Sequence, residues 1–366
     1  MHLIGQRLSV IFILALNMAC TGGGAPGSTV SSGWPLLPFV KVDSANPVLD
    51  RQRSSVFLCP VRTDSVLWEA KDVFNPSAVV RHDTVFLLYR AEDLVGKYAG
   101  TSRLGLAYSL DGLHFSRLPS PVFYPDQDSM NIYEWEGGVE DPRLVEDEEG
   151  NYLLTYTAYD GHTARLCVAR SEDLVHWTKL GLAFSGTFRD LWSKSGAIVT
   201  KQIDGHFVAT RIRGKYWMYW GDTDIFLASS PDLVHWEPVV DSKNTPVTVF
   251  GPRAGNFDSD LVEPGPQAIL TDDGIRLLYN SRNSKIKGTT NLPDGNYAAG
   301  QVLLSANDPA RVIDRMDEYF LTPDRPYELT GQVSNVCFIE GLVYFHDHWF
   351  LYYGTADSKI AVAVKN

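Results

Sequence analysis

One strand motif recurs five times along this chain, and that repetition limits the fold more than any other feature. The copies are Leu87-Leu88-Tyr89-Arg90, Leu153-Leu154-Thr155-Tyr156, Phe207-Val208-Ala209-Thr210-Arg211, Arg276-Leu277-Leu278-Tyr279 and Phe350-Leu351-Tyr352-Tyr353. A second strand follows the first four after a loop, each ending in an aspartate turn at Asp111, Asp173, Asp232 or Asp308. Those aspartates recur at intervals of roughly sixty residues, the spacing of small units that cannot bury their own faces alone. No stretch carries the period of a long amphipathic helix. The expected fold is all-β, a five-bladed β-propeller, with a β-sandwich as the lesser alternative.

The turns continue as His114-Phe115, His176-Trp177 and His235-Trp236, pairs expected to plug one repeat against the next. His346-Asp347-His348 lies between two strands of the last repeat, with no further ligand residues nearby in sequence. It is expected to be a solvated hairpin, not a metal site. Phosphate loops, metalloprotease helices and nucleophile elbows are missing from the sequence, so neither metal nor cofactor is expected.

The amino terminus reads differently. Arg7 precedes the apolar run Leu8 to Leu16, which at about 1.5 Å per residue is too short for a hydrocarbon core of about 30 Å and reads as a signal peptide over residues 1–19. Ala19-Cys20 behind that run is similar to a bacterial lipobox, which implies lipidation at Cys20. Cleavage at an ordinary secretory site is the alternative. Residues 20–33 are rich in glycine and serine, a flexible tether holding one domain, 34–366, clear of a membrane. The expected location is therefore outside the cytoplasm, on a lipid anchor facing the periplasm or the cell surface. Cys59, Cys167 and Cys337 are odd in number and lack metal spacing, and are expected to be buried. A net charge of -12 argues against nucleic acid or an anionic membrane surface as partner.

The chemistry is expected where polar residues head the strands: Asn75-Pro76, Asp141-Pro142-Arg143, Ser195-Gly196, Glu263-Pro264 and Asn335. Asn75, Asp141, Ser195 and Glu263 each precede the next strand's anchor (Tyr89, Tyr156, Thr210, Tyr279) by about fifteen residues, an equal offset that places them at equivalent positions. Carboxylates gathered from different repeats suit glycoside cleavage, one acid protonating the leaving oxygen while another carboxylate activates water. Asp141 and Glu263 could instead cap strands or pair with Arg143 and Arg90. Trp135, Trp192 and Trp220 nearby tilt the reading toward a sugar site.

Phe74-Asn75-Pro76-Ser77-Ala78, Leu88-Tyr89-Arg90-Ala91-Glu92-Asp93, Gly138-Val139-Glu140-Asp141-Pro142-Arg143, Phe257-Asp258 with Pro264-Gly265-Pro266, and Tyr352-Tyr353-Gly354-Thr355-Ala356-Asp357 together resemble glycoside hydrolase family 130, the β-mannoside phosphorylases and β-1,2-mannosidases. The resemblance runs from about Asn46 to the carboxyl terminus. It implies a five-bladed propeller, an inverting mechanism and a mannose-containing oligosaccharide as substrate. It also implies Asp141 as general acid working through a sugar hydroxyl, with Asn75, Arg90, Arg143, Lys194 and Asp357 holding the mannose. Family phosphorylases carry Tyr-His-Gly where this chain has Tyr279-Asn280-Ser281, and the hydrolytic branch is similar in replacing phosphate-binding groups with two acidic residues. Glu263 is then the principal base and Asp222, after Trp220-Gly221, an assistant that orients water; Glu340, further along its strand, ranks lower. The reading is an exo-β-mannosidase for β-1,2 linkages, acting as a monomer. The alternatives are a β-mannoside phosphorylase releasing mannose 1-phosphate, an arabinan or fructan hydrolase, a glycan-binding surface lipoprotein and a protein-docking platform.

Overall fold

The computed structural model describes residues 33–366 apart from Ala99. The signal segment, Cys20 and the tether as far as residue 32 lie outside the described residues. The described chain is nearly all β, its helical pieces confined to Asn131–Glu134, Pro326–Leu329 and the single turn Gly186–Phe188.

Five antiparallel units follow one another. The first runs Asp72–Arg81, Thr84–Glu92, Ser102–Ser109 and Ser116–Arg117. The second runs Gly138–Glu146, Tyr152–Tyr159, Ala164–Ser171 and Trp177–Leu182. In the third, Ala197–Ile203 pairs with both His206–Ala209 and Tyr216–Trp220, and Ile225–Ser230 follows. In the fourth, Leu261–Pro264 and Ala268–Leu270 both pair with Ile275–Arg282, which leads to Tyr297–Ser305 and Asp308–Arg315. The fifth, Cys337–Phe345, His348–Thr355 and Lys359–Lys365, takes its last strand from the other end of the chain, Val40–Lys41.

The period of two explains how the units pack. Along Thr84–Glu92, Val85, Leu87, Tyr89 and Ala91 enter one apolar cluster and Leu88 enters another. The same division separates Leu277 and Tyr279 from Leu278. Each cluster lies between consecutive units: first and second, second and third, third and fourth, fourth and fifth, and fifth and first. A fully buried Leu or Val contributes roughly 1.5–3 kcal/mol, so two buried faces per strand make neighbours obligatory.

A second repeat, not anticipated from the sequence, fastens four units. Tyr89 donates to Glu69, Tyr156 to Glu134, Tyr279 to Asp258 and Tyr353 to Glu328, at 2.8–3.0 Å. Each fully buried carboxylate also meets a cation on the outer strand of its unit: Arg117, Lys179, Arg315 and, across the chain's closure, Lys41. In the third unit the Tyr219 hydroxyl donates to the Pro309 carbonyl instead.

Several expectations need correcting. Thr210 is not the third anchor: residues 210–215 interrupt the second strand, and Tyr219, opposite Ala197, takes the place of Tyr89. Asn335 stands before the fifth inner strand, whose register shift falls at Glu340, between Ile339 and Gly341. Tyr353 faces Ile339 as Tyr89 faces Pro76, so Glu340 lies further along its strand than Asn75, as expected. In the aspartate turns only the aromatic residue plugs, as when Phe115 meets Tyr352 edge-on. The histidines stay exposed, each bound through Nδ1 to its own Asp111, Asp173 or Asp232 at 2.7–2.8 Å. Asp308 opens a strand and does not repeat that turn. His346 pairs with Asp83, and His348 contacts the His346 carbonyl oxygen through Nδ1. Cys59, Cys167 and Cys337 are buried free thiols.

Candidate active site

Backbone geometry brings the polar residues out of their sheets. Asn75, Asp141 and Ser195 have φ of 47°, 48° and 58°, and Asp357 has 49°. A non-glycine residue held there costs about 1–3 kcal/mol, and short polar side chains tolerate it best. At Asn75 and Asp141 the residue is the extra one of a β-bulge, which turns its side chain out of the alternating pattern. The following Pro76 and Pro142 have no N–H to lose from the ladder. Gly354 leaves space for the Asn75 carboxamide: a Cβ there would stand 2.3 Å from Asn75 Oδ1.

The outcome is a pocket of about 140 Å³ drawing on all five units, lined by Asn75, Arg90, Asp141, Lys194, Glu263 and Asp357 together with Tyr297, Val333, Val336 and Phe338. Asp141 is at its centre. Its Oδ1 accepts from Asn75 Nδ2 at 2.9 Å and Arg90 at 3.1 Å, and its Oδ2 lies 3.4 Å from Lys194 Nζ. Burial pushes this carboxyl up, but Lys194, Arg90, the Asn75 hydrogen bond and Arg143 outweigh it and hold Asp141 well below the usual carboxylate range. Arg90 is itself spent on Glu92 at 2.8 Å and Glu140 at 2.9 Å as well as Asp141.

Glu263 behaves oppositely. It accepts a hydrogen bond from Ser195 Oγ, yet burial dominates over Lys194 and Arg143 and pushes it up to about 7. Burial likewise lifts Asp357 to about 6, against the pull of Arg90. One pocket thus holds a carboxylate kept anionic and another poised near neutrality, so in the empty pocket the proton rests on Glu263 and not on Asp141. Asn75 Oδ1, lying against Gly354, is buried with no hydrogen-bond partner among the described residues.

Two of the expected site residues lie elsewhere. Arg143 is beneath the pocket, not in its lining. Its guanidinium donates to the carbonyls of Gly265 at 2.9 Å, Asp141 at 3.0 Å and Pro264 at 2.8 Å, clamping the strand of Asp141 to that of Glu263. It also lies 3.1 Å from the buried Glu340, whose carboxyl burial pushes far up. Asp222 stands beside the pocket, outside its lining: Gly221 N donates to the Lys194 carbonyl and Val262 N to the Thr223 carbonyl, while the Asp222 carboxylate accepts from the Trp192 indole at 2.7 Å. Of the three tryptophans, Trp220 is buried against Phe184 and Phe226, Trp135 packs on an apolar cluster, and Trp192 is 47% exposed. Tyr297 was missed, because no carboxylate or motif marks it in the sequence.

A family model described as beta-1,4-mannooligosaccharide phosphorylase matches residues 41–366. The chain belongs to glycoside hydrolase family 130. A 1,2-beta-oligomannan phosphorylase from Thermoanaerobacter is 33% identical over 307 residues, covering 81% of this chain and 90% of the relative. A solved structure presented with the statement that the GH130 family of mannoside phosphorylases contains glycoside hydrolases targeting β-1,2 mannosidic linkages in Candida mannan is 47% identical, with TM-score 0.89 over 91% of this chain and 95% of that one. A glycosyl hydrolase structure from Bacteroides ovatus is 46% identical, with TM-score 0.89 over the same shares. Family 130 enzymes act on β-mannosides, by phosphorolysis or by hydrolysis.

Proposed function

We propose that this chain is an inverting exo-β-mannosidase acting on β-1,2-linked mannosides, and that its five units are the blades of a β-propeller around the pocket. The propeller reading is supported by the apolar clusters shared between every pair of consecutive units, the fifth and first included. The observation that carries hydrolysis is that both cations in the pocket lining are committed to carboxylates: Arg90 to three of them and Lys194 to Asp141. Phosphate needs cationic donors free to hold it, whereas water needs a base. Glu263 is that base.

Asp141 is the proton donor, working through a sugar hydroxyl. Near neutrality Asp141 and Glu263 together hold one proton, which rests on Glu263 in the empty pocket because Asp141 is kept anionic. Hydrolysis starts with that proton on Asp141. The proton passes to the leaving oxygen, water attacks the anomeric carbon from the opposite face, and Glu263 takes a proton from that water. The empty pocket, with Asp141 ionised, rests in the arrangement a turnover leaves behind. A sugar wedged between Asp141 and Lys194 weakens the attraction holding Asp141 anionic, and so returns the proton to the donor. Asn75 and Asp357 hold the sugar, and Arg143 keeps the two catalytic strands in register.

A phosphorylase is the second reading, favoured by the 1,2-beta-oligomannan phosphorylase relative. Incubation with β-1,2-mannobiose with and without phosphate separates the two. Mannose alone at equal rates is expected; strict phosphate dependence with mannose 1-phosphate as product would overturn hydrolysis. The sequence supports export, a lipid anchor at Cys20 and a monomer, and these are carried as part of the proposal.

A further inference from the structure

The pocket is small, and a row of aromatic rings is carried by segments that lead into its lining. A volume of about 140 Å³ equals about five waters at about 30 Å³ each, room for one sugar ring, so the next residue of an oligosaccharide must lie outside. Three partly exposed rings outside the lining form a chain: Tyr98 and Tyr159 meet edge-on at 6.3 Å, and Tyr159 and Trp192 at 6.5 Å. All three are tied to pocket strands. Trp192 comes two residues before Lys194, and Tyr159 pairs with Gly138 on the strand bearing Asp141. Tyr98 lies in the loop leading to Ser102, which pairs with the same Gly138. The Trp192 indole is oriented by its hydrogen bond to Asp222.

We propose that Trp192, with Tyr159 and Tyr98 beside it, is the platform for the leaving-group sugar, stacking on the apolar C–H face of a pyranose, and that Asp222 is a positioning residue holding the indole. The inference rests on the β-mannosidase reading and gives Asp222 a role other than orienting water. A leaving sugar offers an apolar face and no charge, which suits an aromatic arc. Losing such a contact is expected to weaken binding by roughly tenfold, which corresponds to about 1.4 kcal/mol.

The test compares β-1,2-mannobiose with β-mannosyl fluoride, whose leaving group cannot reach the arc. Trp192→Ala should lower kcat/KM about tenfold on mannobiose, mostly through KM, and leave the fluoride within about twofold. Asp222→Ala should show the same selectivity, and Asp222→Asn, which keeps an acceptor for the indole, should recover mannobiose activity relative to Asp222→Ala. Equal losses on both substrates, no loss on mannobiose, or a collapse of fluoride hydrolysis in Asp222→Asn would overturn the platform. Wild type inert on both substrates would defeat the mannosidase reading instead. Calorimetric binding of β-1,2-mannotriose then decides the platform: weakening in Trp192→Ala supports it, and unchanged affinity overturns it.

Discussion

Replacing Lys194 by methionine removes a positive charge with little change in shape, and the structure sets the size of the effect. At 3.4 Å from Asp141 Oδ2 the ammonium contributes about 332/(20 × 3.4), or about 5 kcal/mol, at an effective dielectric constant of about 20. At about 1.36 kcal/mol per pKa unit that is a ceiling of about 3.5 units, reduced because Arg90 and Asn75 continue to hold the carboxylate. Lys194 is also the strongest influence lowering Glu263. Losing a cation disfavours both anions, so both carboxyls rise. The active form holds one proton on the pair, and in the wild type it is lost as pH climbs past about 7. Lys194→Met should therefore shift the alkaline limb of kcat/KM for β-1,2-mannobiose upward by at least about one unit and lower activity at least about tenfold at neutrality. The loss of a sugar contact lowers the height of the profile without moving its limbs. A limb that stays in place, or moves to lower pH, would refute the shared-proton account.

Asp141→Asn should remove at least about a hundredfold of the activity on mannobiose while circular dichroism and thermal unfolding stay close to wild type, since the amide fits the same bulge; near-wild-type turnover would end its role as donor. Glu69→Ala should destabilise the domain by about 1–3 kcal/mol, measured by denaturant unfolding, because it leaves the buried Tyr89 hydroxyl without its acceptor and takes the carboxylate from the partly exposed Arg117. A change below about 1 kcal/mol would show that the buried Tyr–carboxylate–cation sets are not structural fasteners. Cys20→Ser should abolish incorporation of labelled fatty acid in a bacterial host, and persistent labelling would locate the anchor elsewhere.

Much of the site was legible because the repeats are short and in register. Asn75, Asp141 and Glu263 could be aligned from their offsets to Tyr89, Tyr156 and Tyr279, and the pocket contains all three. The alignment failed where the chain departs from its own period. The loop at 210–215 hid Tyr219 as the third anchor. Side-chain direction was also beyond reach. Arg143 reads as a sugar-binding cation two residues from Asp141, yet its fork is consumed by the carbonyls of Asp141, Pro264 and Gly265.

By itself the sequence determined the all-β class, the number of repeats and the chemical types that meet in the pocket, because apolar alternation and turn residues act over a few neighbours at a time. Only the tertiary structure decided how charge is distributed among them. Whether a carboxyl is held anionic like Asp141 or lifted toward neutrality like Glu263 depends on burial and on the few ångströms separating it from Lys194 and Arg90, groups carried by different units and brought together by folding.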